Sequence, residues 1–249
     1  MTPLITCSAI VAADPAIATA TSDTPTTGVA HRGALGLEPL VATRAGPVWL
    51  RPTTPGDEDL VAGLVERLDP ESRRRRFFSP LPVVRPSLVS QLCDVDQCRR
   101  VSWVAHDGGR AVAEALGVRR ADDPATADLA VMVADDRRRQ GIGRAVIAAV
   151  VLVLDTLGVA TLTCDILSDN RASVDLFESF GLRLRPDAES LAGSGAMGDA
   201  RRVALGAGLD TGALLSLAAA TSACREPHGC TAPAVARIIG GHGGHIRAA

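Results

Sequence analysis

The chain contains no lysine and no tyrosine, and its 249 residues include a single asparagine, Asn170. A nucleotide-binding P-loop needs a lysine directly after its last glycine, so the absence of lysine excludes that class of phosphate site. Without tyrosine, no phenol can act as a general acid in any catalytic site of this chain. The net charge of −2 argues against a nucleic-acid-binding protein, which would carry a basic excess.

Cysteine is also sparse, and the six cysteines are widely spaced. They are Cys7, Cys93, Cys98, Cys164, Cys224 and Cys230. This pattern lacks the dense framework of a disulfide-stabilised secreted domain and predicts free thiols in the cytoplasm. Histidines follow the last cysteines, but their spacings fit no standard zinc module, so we predict no metal site. The most apolar run, residues 145–154, is about half as long as a membrane span, which predicts no membrane partner.

Composition divides the chain into three parts. Residues 1–46 are rich in Ala, Thr, Pro and Gly without a sustained period, as expected of a flexible low-complexity arm. Residues 207–249 form an Ala/Gly-rich tail with one possible helix near 210–222. The intervening residues 47–206 carry the periodic patterns of a folded domain.

Within that domain, helical patterns come first and strand patterns follow. The short strand 47–52 precedes predicted helices at 54–69, 69–78 and 86–95. A hairpin at 101–106 and 110–120 follows, and then strand 126–135, helix 141–157, strand 160–167 and helix 168–181. Residues 182–185 and 201–205 are predicted to complete the sheet, with a Gly/Ala/Ser-rich loop between them. The fold class predicted from this order is α/β (α+β).

One glycine-rich segment marks a candidate phosphate site. Residues 137–146 read RRRQGIGRAV and join an apolar strand to an apolar helix. The first amides of a helix point outward unpaired, and the helix dipole adds positive charge, so an anion is the natural ligand. A dinucleotide fingerprint needs a small third residue where this chain has Val146, so that class does not fit. A plain tight turn remains the structural alternative.

The segment Arg138-Arg139-Gln140-Gly141-Ile142-Gly143 matches the pattern R/Q-x-x-G-x-G/A at each position. Here the sequence resembles the GNAT superfamily of acetyl-CoA-dependent N-acetyltransferases over about 47–185. Downstream, DNRASVDLFESFGL is similar to the helix of that family that begins with Asn, and it places Asn170 at the Asn position. The segments LDPESRRRRFFSP and AVMVADDRRRQGIG are further similar to the acetyltransferase domain of actinobacterial protein-lysine acetyltransferases.

The resemblance implies a GNAT fold, which has a mixed, mostly antiparallel central sheet flanked by helices and splayed at the cofactor site. It implies acetyl-CoA as co-substrate and no metal. The diphosphate is expected on the loop amides, with arginines as a positive rim, and the pantetheine arm along the preceding strand. The implied coenzyme-binding residues are Val131, Met132, Val133, Arg138, Arg139, Gln140, Gly141, Ile142, Gly143, Arg144 and Asn170. A solvated loop is the alternative explanation for the arginines.

The resemblance also implies a catalytic base, because an ammonium cannot attack a thioester. Related protein acetyltransferases carry a glutamate near the start of the strand, and Asp128 takes that place. Glu114 on the preceding strand is the reserve candidate. For Asp128 the structural alternative is an exposed strand-end carboxylate, and for Glu114 a solvent-facing residue of an alternating strand. Many family members have a tyrosine as general acid where this chain has Phe177, so that role must fall to water or be absent.

The sequence thus predicts an N-acetyltransferase that acts on a primary amine, with a protein lysine preferred over a small molecule. The alternative is a catalytically weak GNAT domain that serves as an acyl-CoA-binding or protein-interaction module. We expect no nucleic-acid partner and a monomer or homodimer. Related lysine acetyltransferases can carry a preceding cyclic-nucleotide domain, and residues 1–46 are too few for one, so cyclic AMP regulation is not expected.

Overall fold

The fold is described from a computed structural model that covers residues 40–43 and 45–222. Most of both low-complexity flanks, including the cysteine–histidine segment from Cys224, lies outside the described residues. In the described part, eight strands form one sheet. The strands are β1 (Leu40–Thr43), β2 (Gly46–Pro52), β3 (Arg100–Asp107), β4 (Arg110–Arg119), β5 (Thr126–Val133), β6 (Thr161–Leu167), β7 (Arg183–Asp187) and β8 (Ser190–Ala196).

The strand order is β1-β2-β3-β4-β5-β6-β8-β7. All described neighbours pair antiparallel except β5 and β6, which run parallel. The parallel pair needs a crossover, and the long helix between the two strands supplies it. The expected mixed, mostly antiparallel sheet is therefore confirmed.

Seven helices flank the sheet in the described part of the chain. They are α1 (Glu58–Arg67), α2 (Pro70–Phe77), α3 (Pro86–Cys93), α4 (Ile142–Thr156), α5 (Arg171–Ser179), α6 (Met197–Leu205) and α7 (Thr211–Thr221). Helices α1 to α3 cover one face of the sheet with one apolar cluster, and α4 lies in a larger cluster on the other face. The sheet is thus buried on both faces around its centre, which explains its apolar strands.

Helix α4 explains the most apolar run of the sequence. Residues 145–154 are all buried because the sheet covers one side of α4, while α6 and α7 pack against it from outside. Gly117 on β4 permits close packing, since a Cβ atom there would lie 2.8 Å from Leu154 Cδ1 and 2.9 Å from Val150 Cγ1. A helix that is apolar on all sides is thus a fully covered helix and not a membrane span.

The last strand of the sheet is formed by other residues than the sequence-based prediction gave. Residues 201–205, predicted as a strand, belong to α6, in which Ala200 and Ala204 are buried four residues apart against α4. The strand is instead β8, within the predicted Gly/Ala/Ser-rich loop. Its glycines lie where there is no room for a side chain, because a Cβ atom on Gly193 would lie 2.5 Å from Cys164 Sγ. A strand built from such small residues shows no alternation of large apolar side chains, so its sequence looks like a loop.

The folded structure reaches beyond residues 47–206 at both ends. Strand β1 pairs with β2, and α7, inside the segment 210–222, contacts α4 and β2. The expectation of free thiols holds for Cys93 and Cys164 but is wrong for Cys98, which is disulfide-bonded. Among the described helices, none combines the length and apolar character that a bilayer crossing requires.

Candidate functional site

The centre of the site is the gap between β5 and β6. These strands pair only over Thr126–Asp128 and Thr161–Thr163, and they separate beyond that point. The N–H of Ala134 donates to Val112 O at 2.8 Å. Because hydrogen-bonding groups point to alternate sides along a strand, Met132 and Ala130 also direct their N–H and C=O groups toward β4. The intervening residues Leu129, Val131 and Val133 therefore direct their N–H and C=O groups into the gap. This row of main-chain groups forms the expected splay.

The side chains of β5 alternate between the two faces of the sheet. Met132 packs with the cluster under α1 to α3, whereas Val131 and Val133 pack against the cluster around α4. Asp128, Ala130 and Met132 thus lie on one face of β5, and the odd-numbered residues lie on the other.

The gap opens into a cleft of about 760 Å³. Residues 129–133 and the loop after β5 form one wall, and parts of α2, β6 and α5 form the other. Ten of the predicted coenzyme-binding residues line this cleft: Val131, Met132, Val133, Arg138, Arg139, Gly141, Ile142, Gly143, Arg144 and Asn170. Gln140 does not line it, and its amide donates to Asp136 O at 3.4 Å.

The glycine loop presents main-chain donors to the cleft. Arg139 and Gly141 have positive φ angles of 57° and 84°, and Gly141 is the N-cap of α4. The first intrahelical bond runs from Ala145 N to Gly141 O at 3.0 Å, so the three preceding amides have no partner within the helix. A Cβ atom on Gly143 would lie 3.2 Å from Val133 Cγ2, so only glycine fits there without a shift. The arrangement is a nest for an anion.

The four arginines of the segment 137–144 have different surroundings. Arg137 pairs with Asp107 at 2.5 Å and fixes the loop to the end of β3. Arg138 pairs with Asp135 and donates to Ser72 Oγ on α2. The Arg144 guanidinium lies over the Phe180 ring, 5.5 Å from its centroid. Arg139 is exposed and has no ion-pair or side-chain hydrogen-bond partner within the described residues, so its charge is available to a ligand.

Asn170 has a local structural role at the rim of the cleft. Its side-chain oxygen accepts from Ser173 N at 3.3 Å and caps α5, so this helix begins beside the cleft. Phe177 of the same helix is buried and lines the cleft. It occupies the place where the resemblance expects a tyrosine, and it carries no proton to donate.

The first base candidate, Asp128, lies at the end of the paired segment and is not among the residues that line the cleft. Its carboxylate accepts from Arg120 at 2.9 Å and from the Thr163 hydroxyl. Asp128 is thus an ion-paired carboxylate that links β5 to β6 and to the residue after β4.

The reserve candidate, Glu114, is not solvent-facing, and that alternative is wrong because its strand is covered by α1 to α3. The residue is 1% exposed, and it accepts from Ser102 Oγ at 2.9 Å. Burial raises the pKa of the Glu114 carboxyl. Arg76, at 3.6 Å, and the Ser102 hydroxyl lower this pKa, but they offset only part of the rise. Arg76 lines the cleft and Glu114 does not, so the carboxylate lies behind the arginine.

Sequence reasoning missed Asp165 on β6, which does line the cleft. Leu162, Cys164 and Ile166 of this strand pack around α4, so Thr163 and Asp165 face the opposite side of the sheet. Half burial and the nearby carboxylates of Asp128 and Asp187 raise the pKa of Asp165, against a smaller opposing effect of Arg120. The signal was present in the sequence, because TLTCDIL alternates apolar with polar residues and Asp165 is its one acid.

A mixed sheet splayed at its one described parallel pair, with a glycine nest at the end of the gap, is the arrangement that the resemblance to GNAT acetyltransferases implied. The model of the acetyltransferase (GNAT) family matches residues 69–182, and this segment of the chain is similar to a GNAT acetyltransferase domain.

Similar proteins agree with that class. Acetyltransferase Pat of Mycolicibacterium smegmatis is 32% identical over 136 residues, which cover 53% of this chain and 40% of Pat. The chain thus matches less than half of the length of that relative. The crystal structure of the GNAT domain of S. lividans PAT is similar with a TM-score of 0.60 and 22% identity, over 66% of this chain and 99% of that domain. At this identity the second similarity shows the fold alone.

Proposed function

We propose that this chain transfers an acetyl group from acetyl-CoA to a primary amine, with a protein lysine as the preferred class of acceptor. One observation carries the proposal: the unpaired amides at the start of α4 and the unpaired main-chain edge of β5 open into the same cleft. The first suits a diphosphate, and the second suits the amide-bearing pantetheine arm. These are the two polar parts of coenzyme A that a protein can hold through its backbone.

The described residues fit that ligand. The diphosphate accepts from the amides of Ile142, Gly143 and Arg144, and each such bond is charge-assisted. The exposed Arg139 adds a cation at the phosphate end. The pantetheine arm pairs with Val131 and Val133, and Met132 contributes wall surface from the other face. Gln140 acts through the shape of the loop, and Asn170 acts by starting α5 at the rim.

The chemistry is attack of a neutral amine on a thioester. The ammonium form of the acceptor loses a proton to a base, the neutral nitrogen bonds to the carbonyl carbon, and the carbonyl oxygen becomes an oxyanion. The nitrogen gives up its second proton to solvent. A main-chain N–H of β5 in the gap can stabilise that oxyanion. The C–S bond then breaks and the thiolate leaves with the electron pair. A free thiol has a pKa of about 8.5, so the thiolate leaves without a strong acid, and Phe177 in the tyrosine position is tolerable.

The acceptor class follows the resemblance to protein-lysine acetyltransferases, and the charges of the cleft are compatible with it. Asp165 lines the cleft, and its carboxylate attracts an ammonium group. We further propose the cytoplasm as the location, because an acetyl-CoA-dependent enzyme draws on the pool of that thioester. The disulfide at Cys98 is unusual for a reducing compartment, so thiol titration of protein isolated under non-reducing conditions tests that location.

Titration calorimetry with acetyl-CoA and with CoA, followed by a thiol-release assay across a panel of lysine peptides and small amines, tests the proposal. We expect binding of both ligands and acceptor-dependent release of CoA. A folded protein that gives no heat with either ligand contradicts the coenzyme site. A second function, an acyl-CoA-binding module, is favoured by Phe177 in the tyrosine position. Binding without turnover of any amine would establish that module.

A further inference from the structure

We infer that Asp165 is the catalytic base of this site and takes the proton from the acceptor amine through one water molecule. The inference rests on the proposed function, and it assigns to β6 a role that the sequence resemblance assigns to Asp128 on β5. Three observations carry it: the position of Asp165 in the gap, its contact with the cleft, and its lack of a partner.

The position follows from the register. Asp128 and Thr163 form the last parallel pair of β5 and β6, so Asp165 is two residues past the pairing, as Ala130 is on β5. The carboxylate of Asp165 therefore stands across the gap from the stretch of β5 whose main chain is free to hold the thioester. It also lies on the face of the sheet from which α2 contributes Arg75 and Arg76 to the cleft.

The three strand carboxylates considered as the base, Asp128, Glu114 and Asp165, differ in what already binds them. Asp128 is held by Arg120 and Thr163, and Glu114 is buried behind Arg76 with Ser102 as its donor. Asp165 forms no ion pair and no side-chain hydrogen bond within residues 40–43 and 45–222. Of these three, Asp165 alone lines the cleft. Asp175 on α5 also lines the cleft without such a partner among the described residues, but it is exposed and does not lie on a strand that borders the gap. A base must reach its proton directly or through one water, and of the three strand carboxylates only Asp165 has both a free oxygen and access to the cleft.

The charged groups around Asp165 suit a base. Asp128 on β5 and Asp187 at the end of β7 add negative charge, and together with half burial they raise the pKa of Asp165. Arg120, which follows β4, opposes them, and its guanidinium is engaged by Asp128. A carboxylate with a raised pKa holds a transferred proton more strongly and is a better base than an ordinary aspartate.

The proton balance is complete. An ammonium acceptor gives its first proton through water to Asp165, and the neutral nitrogen then forms the C–N bond with the acetyl carbon. The C–S bond breaks, and the thiolate takes a proton from water. The nitrogen loses its second proton to solvent, and Asp165 passes the first one to solvent before the next turnover. The ammonium and the thioester thus become acetamide and free thiol with one net proton released. No oxidant or metal is required.

The test compares Asp165→Asn with the wild type, using acetyl-CoA and a lysine-peptide acceptor that the wild type acetylates. We expect kcat to fall about 100-fold or more at neutral pH, with the acetyl-CoA Kd unchanged. The activity that remains should rise in proportion to hydroxide toward the acceptor pKa of about 10.4, because free amine then forms in solution. A purely structural role predicts weaker coenzyme binding and an unchanged pH profile.

Asp128→Asn is the competing variant. If it shows the pH signature and Asp165→Asn does not, the inference is overturned and the base is on β5. If the wild type is active and Asp165→Asn retains its full kcat, the inference is overturned while the proposed function stands. If the wild type binds acetyl-CoA but acetylates no amine, the proposed function fails, and the base assignment fails with it.

Discussion

The two walls of the cleft are built by different means. The coenzyme wall consists of the β5 edge and the loop to α4, and it offers mainly backbone groups: three amides before Ala145 and a row of unpaired strand groups. The acceptor wall consists of side chains from α2, β6 and α5, among them Arg76 and Asp165. Backbone groups survive most substitutions, whereas side-chain groups change with each one. We therefore expect the first wall to be sensitive mainly at its glycines and the second at its charges.

The largest expected effect is on the acceptor side, at Glu114. Substitution Glu114→Ala removes a buried carboxylate from Arg76 and leaves a cavity, so we expect the free energy of unfolding to fall by about 3–5 kcal/mol. Denaturant unfolding measures this. Acetyl-CoA affinity of the folded variant should stay unchanged, because Glu114 does not line the cleft. If Glu114→Ala lost much of its acetyl-CoA affinity but little of its unfolding free energy, the separation of the site into a coenzyme wall and an acceptor wall would be wrong.

The isosteric variant Glu114→Gln tests the charge alone. Burial raises the pKa of Glu114 in the folded state, so the folded protein holds this proton more tightly than the unfolded chain does. The contribution of this group to stability is therefore complete below the ordinary glutamate pKa and is lost as pH rises through the raised value. We expect the unfolding free energy of the wild type to decline more steeply with pH than that of Glu114→Gln. Parallel curves would contradict the pKa direction.

On the coenzyme wall, the next effect is at Gly141. Its φ of 84° and the empty space around it mean that Gly141→Val strains the backbone without a clash. A strain of about 2 kcal/mol in the nest corresponds to an acetyl-CoA Kd about 30-fold higher. Calorimetry measures it. Gly158 is the matched control, since it has a φ of 81°, also without neighbours, beyond the other end of α4. Gly158→Val should lower stability and leave Kd unchanged.

The contrast between the walls also explains what the sequence could and could not predict. Gly141 and Gly143 at fixed spacing mark the backbone nest, because few other residues adopt that φ or fit against Val133. The separation of β5 from β6 was predicted from the same motif, because the motif carries the resemblance to GNAT acetyltransferases, and that resemblance implies a sheet splayed at the cofactor site. The strand β8 escaped prediction because its residues are small, and close packing rather than alternation places it in the sheet.

The acceptor wall was less accessible to sequence reasoning. Whether a strand carboxylate is paired depends on residues far away in the chain. Arg120 and Thr163 hold Asp128, and Arg76 covers Glu114, and neither contact leaves a local pattern. Asp165 differs from Asp128 only in what lies beside it, so tertiary structure is needed to tell the two apart.

A smaller effect is expected at Arg139. This arginine is the exposed cation of the loop, and a single exposed charge contact contributes about 1 kcal/mol, which corresponds to about a fivefold rise in Kd for Arg139→Ala. The difference from the wild type should shrink at high salt, because exposed charges are screened. Arg183, exposed on β7, is the control, and Arg183→Ala should leave Kd unchanged. An Arg139→Ala effect that persists in high salt would show that its role is structural.

The smallest effect concerns a contact within the acceptor wall. Arg74 and Arg75 of α2 pair with Asp169, which precedes α5, and these side chains are partly exposed to solvent. Exposed pairs contribute little, because water and salt screen them. We therefore expect Asp169→Asn to change the acceptor KM less than about twofold and acetyl-CoA affinity not at all. Steady-state kinetics at low and high salt measure this. A larger rise in KM at both salt concentrations would mean that Asp169 itself contacts the acceptor ammonium, and the acceptor wall would then extend from Asp165 to the start of α5.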